Sequence, residues 1–312
     1  LEVKEEEKET TASLIRGVLA KLHKAGYPVA GFDMYVTSTV LPGSGLSSSA
    51  ACEVLIGTTG NHLFCQDKFD AVEIAKIGQA AENEYFGKPC GLMDQTASSV
   101  GDAVAIDFKN PANPIVRSIN ADLTGLGLAL CIIDCGADHA ALTNEYASIP
   151  EEMSKVAAHF GKKVLREVKE EDLLADLAQV RKEAGDRAVL RALHFYADDR
   201  RAAEEADALE RKDKEAFLNL VKESGRSSWE LLQNITPAAA ITHQDMAVAL
   251  AVAEKALNGK GACRVHGGGF AGTIQAFVPV EDVCEFKKTM ETMLSEGCCH
   301  VLSIRPAGGL IL

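Results

Sequence analysis

Apolar residues recur at helical spacing at Leu14, Ile15, Val18, Leu19 and Leu22, behind a charged run over 2–9. That spacing predicts an amphipathic helix over 11–22. Over 32–40 the period falls to two, which predicts a strand. Helices are predicted over about 50–63 and 69–86, the second closed at Gly87 with Pro89 barring its continuation. A third begins after Asp94. Residues 102–108 read as a strand, and the Pro- and Asn-rich stretch 109–114 as a turn.

Downstream, 126–134 is a continuous apolar run of strand length, the pattern of a buried strand. The pattern over 148–257 is mostly helical. Pro150-Glu151-Glu152 reads as a helix start, with Pro in the first turn and acids facing the dipole. Charged amphipathic helices are predicted over 186–209 and 214–221, and an alanine-rich buried one over 247–257. Strands follow at 262–265, 273–278 and 300–304, with a helix at 281–294. The order β-turn-β-α-β suits a split α+β layer on the ferredoxin plan.

At 312 residues the chain exceeds one usual core, so two domains are expected. The turn-rich stretch 109–125 is the best boundary, giving domains over 1–120 and 121–312. Thirty-two basic against forty-five acidic residues leave a net charge of −13. Such a chain repels phosphate backbones, which argues against nucleic acid or anionic membrane as partner. No apolar run approaches the roughly 20 residues that span a bilayer. The nine cysteines are scattered and odd in number, with no second Cys/His pair at zinc spacing beside Cys131 and Cys135. They read as buried small hydrophobes in a reducing cytoplasm. The oligomeric state stays open between monomer and dimer.

Against this background three clusters carry candidate chemistry. The first is Leu41-Pro42-Gly43-Ser44-Gly45-Leu46-Ser47-Ser48-Ser49-Ala50, between the strand-like run and a helix. Glycines allow close backbone approach, and a helix start offers unpaired N–H groups and positive potential to phosphate. It is neither a Walker loop nor Gly-x-Gly-x-x-Gly, and the plain alternative is a turn with a serine N-cap. The second cluster runs from Glu82 through Gly87-Lys88-Pro89-Cys90-Gly91-Leu92-Met93-Asp94-Gln95. Phosphoryl transfer uses one carboxylate near the acceptor hydroxyl and another acidic group on magnesium. Asp94 suits the first role and Glu82 the second. The third is His266-Gly267-Gly268-Gly269-Phe270-Ala271-Gly272 between two strand-like runs, where glycines suggest close packing on backbone or ligand.

Three such clusters in this order resemble the GHMP small-molecule kinases, and within them the galactokinases. Gly45-Leu46-Ser47-Ser48-Ser49-Ala50 is similar to the galactokinase form of the family's phosphate loop. Cys90-Gly91-Leu92-Met93-Asp94-Gln95 is similar to the galactokinase Cys-Gly-x-Met-Asp-Gln, and the stretch 267–272 resembles the third motif. The resemblance implies an α+β, two-domain GHMP kinase fold, with an S5-like α/β N-terminal domain, incomplete here, and a ferredoxin-like C-terminal domain. It implies phosphorylation of the anomeric hydroxyl of galactose or a closely related sugar. ATP phosphates would rest on Pro42, Gly43, Ser44, Gly45, Leu46, Ser47, Ser48 and Ser49, with Gly267, Gly268 and Gly269 closing over the substrates. Ser49 and Glu82 would hold Mg2+, Asp94 would be the catalytic residue, and Gly91, Asp94 and Tyr146 would bind the sugar. The alternatives are a non-catalytic sugar- and nucleotide-binding relative, or a GHMP kinase for another small alcohol.

Three departures qualify the resemblance. The family's opening Gly-Glu-His-Thr-Asp-Tyr segment has no counterpart here, which predicts a truncated chain that binds nucleotide better than sugar and turns over poorly. Gly225 stands where the family carries histidine, and Asp138 precedes His139 where many galactokinases have a basic residue.

Overall fold

Helices α1 (Thr11–Lys24), α2 (Ser48–Cys65), α3 (Ala71–Ala81) and α4 (Met93–Val100) build the first part of the chain in this computed structural model. The structure describes residues 1–40, 46–136 and 142–312. The chain divides into two units: Leu1–Ala121 with Ile304–Leu312, and Asp122–Ser303.

The apolar stripe read from 11–22 is the buried face of α1. Val18 meets Ile56 of α2 and Ala81 at the end of α3, with Ile15, Leu19, Cys52 and Ile77 packed around them. Helix α3 starts on a capping box: the Asp70 carboxylate accepts from the Glu73 amide at 2.8 Å, and the Glu73 carboxylate from the Asp70 amide at 2.8 Å. After Ala81 the helix widens into a π-helical turn over Glu82–Phe86, ended by Gly87 at φ +89°. Such turns are frequent at functional sites, and Glu82 opens this one. Strands β1 (Ala103–Asp107) and β2 (Ile115–Ile119) pair antiparallel, Ala103 opposite Ile119.

In the first unit the structure departs twice from the sequence reading. Residues 32–40 form no strand among the described residues; they are mostly exposed, with Tyr35 92% exposed. Alternation makes a strand only where a neighbouring strand takes its backbone groups, and none does here. The segment Ile304–Leu312, read as part of the second domain, belongs to the first unit. Its backbone is bound there: the Arg305 carbonyl accepts from the Asp102 amide at 2.8 Å, and the Gly309 amide donates to the Ser99 carbonyl at 3.3 Å.

The second unit holds a four-stranded sheet of β3 (Leu128–Asp134), β4 (Ala262–Val265), β5 (Thr273–Pro279) and β6 (Cys299–Leu302), in the order β4-β5-β3-β6. Every neighbour is antiparallel, with Leu128 opposite Pro279 and Leu130 opposite Leu302. With α11 (Val283–Met293) between β5 and β6, this is the β-α-β-β-α-β ferredoxin plan. A long helical excursion replaces its first helix: α5 (Thr143–His159), α6 (Glu170–Ala175), α7 (Leu177–Ala184), α8 (Asp186–Glu210), α9 (Lys214–Ser227) and α10 (Asp245–Leu257). Met246 and Leu250 of α10 and Phe286 and Met290 of α11 cover the sheet residues Ile133, Ile274 and Val278. Val156, Leu173, Val180 and Val189 form a separate core among α5 to α8.

Pro150 does not start α5, which begins at Thr143 and runs through it. An interior proline removes one helical hydrogen bond and costs about 3 kcal/mol. Packing of the helix on its neighbours offsets that cost. In consequence Asn144, Glu145 and Tyr146 lie in the first turn of a helix rather than in a loop.

Candidate active site

In the first unit, α2, the end of α3 and α4 bring together the two acids, Glu82 and Asp94, and two of the serines, Ser47 and Ser49, singled out in the sequence. Ser47 sits just before α2 in the left-handed region, at φ 53° and ψ 60°. A non-glycine residue there stores strain of order 1–3 kcal/mol, a cost that concentrates at functional sites. Its hydroxyl does not cap the helix but donates to Oδ2 of Asp94. The first N–H groups of α2 are thereby left without a side-chain cap, so the simple N-cap reading does not hold for Ser47. Asp94 lies exposed in the first turn of α4. Gly91, just upstream, is also exposed. Pro42, Gly43, Ser44 and Gly45 lie outside the described residues, as do Asp138 and His139.

Behind this surface is a buried polar layer. The hydroxyl of Ser49, the second residue of α2, donates to Oε1 of Glu82 at 3.1 Å. The Gln95 amide donates to Oε2 of Glu82 at 2.9 Å and to Oε2 of Glu53 at 3.0 Å. Glu53 is fully buried, Gln95 1% exposed and Glu82 4% exposed. Burial pushes the Glu53 carboxyl up to about 8, the Gln95 hydrogen bond opposing and the charges of Glu82 and Asp94 adding to the rise. Burial also raises the Cys90 thiol to about 12, helped by its contact with Glu82. Glu53 Oε1 and Gln95 Oε1 have no hydrogen-bond partner. Sequence reasoning missed Glu53 and Gln95 as functional candidates. The available signal was spacing, since Glu53 follows Ser49 by one helical turn and so shares its face.

Among the described residues no group of three or more His, Cys, Asp or Glu side chains could hold a metal ion. The pair Ser49 and Glu82 instead offers two hard oxygen donors. Magnesium usually keeps several waters and takes one or two carboxylates plus substrate phosphates, and that donor set fits this pair.

In the second unit the glycine cluster forms the connection from β4 to β5. The Tyr146 hydroxyl donates to the Gly269 carbonyl at 2.8 Å, and its ring meets Phe270 edge-on with centroids 5.6 Å apart. The Asn234 carbonyl accepts from the Phe270 amide at 2.5 Å, and the Asn234 side-chain amide donates to the Gly268 carbonyl at 3.1 Å. Gly269 has φ +83°, and a Cβ there would lie 2.1 Å from the Asn234 carbonyl oxygen. Only glycine satisfies both conditions. Asn234, which follows a second π-helical turn at Ser228–Leu232, was not recognised in the sequence. Gly225, where the family has histidine, faces strand β4: a Cβ would lie 3.0 Å from the Arg264 Cβ and 3.2 Å from the Cys263 carbonyl. Its smallness serves the packing of α9 on the sheet.

The model for the GHMP kinases N terminal domain matches residues 13–102. Galactokinase from Streptomyces coelicolor is 33% identical over 275 residues, covering 88% of this chain and 68% of that protein. Galactokinase from Actinobacillus pleuropneumoniae serotype 3 is 33% identical over 278 residues, with coverages of 87% and 68%. The chain belongs to the galactokinase family of GHMP kinases. Among solved structures, Lactococcus lactis galactokinase complexed with galactose superposes with a TM-score of 0.75 at 23% identity, over 96% of this chain and 76% of that one. L. major mevalonate kinase in complex with R-mevalonate gives 0.56 at 12% identity, over 97% and 79%. At those identities the solved structures establish the GHMP kinase fold. No helix among the described residues is long and apolar enough to cross a membrane.

Proposed function

We propose that this protein is an ATP-dependent sugar kinase that moves the γ-phosphoryl group of ATP to the anomeric hydroxyl of galactose or a closely related sugar, giving the sugar 1-phosphate and ADP. The observation that carries this reading is the hydrogen bond from Ser47 to Asp94. It sets an exposed carboxylate beside the start of a helix whose first amides have no side-chain cap, in a chain one third identical to galactokinases over most of its length.

In this reading the uncapped amides of α2 and the stretch from Pro42 to Ser49 hold the nucleotide phosphates, using the positive end of the helix dipole. Ser49 and Glu82 hold Mg2+, which when bound neutralises phosphate charge. Asp94 accepts a hydrogen bond from the sugar's anomeric hydroxyl in place of Ser47, aligns its oxygen for attack and takes its proton. Gly91 leaves room beside that hydroxyl. Gly267, Gly268 and Gly269, with Tyr146, whose hydroxyl donates to Gly269, are the candidate substrate contacts carried by the second unit. The protein contributes mainly position and charge stabilisation. The nine scattered cysteines fit a cytoplasmic setting.

A panel of acceptors tests this reading. The full-length protein with ATP and Mg2+ is offered galactose, mevalonate and homoserine, and ADP release is followed. Galactose is expected to stimulate release by orders of magnitude over the other two. Preferential stimulation by mevalonate or homoserine overturns the sugar assignment.

A further inference from the structure

We propose that Gln95 is the positioning residue that presents the metal-binding edge of Glu82. The inference rests on the reading of Glu82 as a magnesium ligand and adds the group that fixes it.

Glu82 has two distinguishable oxygens. Oε1 faces the Ser49 hydroxyl at 3.1 Å, and these two oxygens form the edge available to a cation. Oε2 points the other way and accepts from the Gln95 amide at 2.9 Å. The same nitrogen donates to Oε2 of Glu53 at 3.0 Å. One amide thus ties a carboxyl from α2 to the carboxylate that ends α3, and it does so from α4, one residue after Asp94. Consecutive helical residues point about 100° apart, so Asp94 faces solvent while Gln95 faces the buried layer.

Among the described residues no cationic side chain is bonded to Glu82 or Glu53 to perform this task. Without the amide, Oε2 of Glu82 would be buried with a second carboxyl as neighbour and only the weakly donating Cys90 thiol beside it. An unsatisfied buried acceptor costs roughly 1–3 kcal/mol, more when charged. Glu82 would escape by rotating about its side-chain torsions, and Oε1 would leave Ser49. Glutamine suits the task because its terminal nitrogen carries two N–H groups, one for each carboxyl, without adding charge. Groups that orient a metal ligand in this way typically change metal affinity by about 10–100-fold when removed.

The test is a double-mutant cycle read by Mn2+ binding, followed by electron paramagnetic resonance in the presence of a non-hydrolysable ATP analogue. Gln95→Met keeps the length and removes the donor. It is expected to weaken Mn2+ binding by about 10–100-fold, with circular dichroism and the KM for galactose unchanged. In a Glu82→Ala background the same substitution is expected to have no further effect. An equal loss in both backgrounds overturns the proposal, because Gln95 would then not act through Glu82. Unchanged Mn2+ affinity in Gln95→Met, with weakened affinity in Glu82→Ala, overturns the role of Gln95 and leaves the metal reading of Glu82 standing. Unchanged affinity in Glu82→Ala overturns both. If Gln95→Met does not fold, Gln95→Asn, which withdraws the amide by one methylene, is measured instead. Wild-type Mn2+ affinity in that variant overturns the proposal.

Discussion

The hydroxyl of Ser47 is hydrogen-bonded to the carboxylate of Asp94, across 47 residues of chain and two helices. The link joins the serine-rich start of α2, the proposed phosphate site, to the proposed catalytic acid inside one unit. It also uses the hydroxyl that would otherwise cap α2, so acid position and helix-end availability depend on the same side chain.

Asp94→Asn retains the shape of the side chain and removes its charge. General-base assistance is worth about 10²–10⁴-fold. The variant is expected to lose kcat by that factor while Tm and nucleotide affinity stay near their original values. A strongly lowered Tm would make Asp94 a structural residue of α4.

Ser47→Gly and Ser47→Ala both remove the tether on Asp94, but only glycine accepts φ 53° without strain. Both are expected to lower kcat by a similar factor, about tenfold, through freer motion of the carboxylate. Their stabilities should differ, with the glycine variant melting at the higher temperature. Equal melting with unequal kcat would contradict the assignment of strain and tether to this residue.

Gly269→Ala places a methyl against the Asn234 carbonyl at a left-handed backbone position. The conformational penalty alone is about 1–2 kcal/mol, and the clash is with backbone rather than a movable side chain. A loss of about 2 kcal/mol or more is expected in urea unfolding. The KM for substrate should also rise, because the Tyr146–Gly269 hydrogen bond is displaced. A neutral variant would show that the Asn234 clamp is slack.

Glu53 makes stability pH-dependent with a definite sign. Burial raises its carboxyl from 4.5 to about 8, so the folded protein keeps a proton that the unfolded chain has released. Stability therefore falls as pH rises from about 4.5 to about 8 and levels off beyond. Glu53→Gln removes this component. Across pH 5 to 8 its Tm should fall less than that of the unsubstituted protein, the gap reaching a few degrees. Parallel Tm curves would show that Glu53 is ionised in the folded state.

Much of this organisation is legible in the residues. The periodicity of 11–22, 50–63 and 69–86 gives helices that the structure contains, and the run 126–134 gives the central strand β3. Asp94, Glu82 and the serines are visible because the loop-helix and helix-Gly-Pro contexts mark them. Glu53 and Gln95 are not, because an acid and an amide within helical runs look like solvated residues until three helices close over them. Alternation over 32–40 misleads for a related reason: a strand is a property of a pair, and one segment cannot report its neighbour. Pro150 misleads because tertiary packing overrides local propensity. Asn234 acts largely through its backbone carbonyl, which carries no signature in the side-chain pattern.

Phosphorus-31 nuclear magnetic resonance of the full-length protein with ATP, Mg2+ and galactose carbon-labelled at C1 tests the central claim most directly. The account predicts a phosphomonoester signal coupled to the labelled anomeric carbon, growing as the γ-phosphate signal declines, and nearly absent with Asp94→Asn. A phosphate ester on another carbon, inorganic phosphate alone, or undiminished product from Asp94→Asn would contradict it.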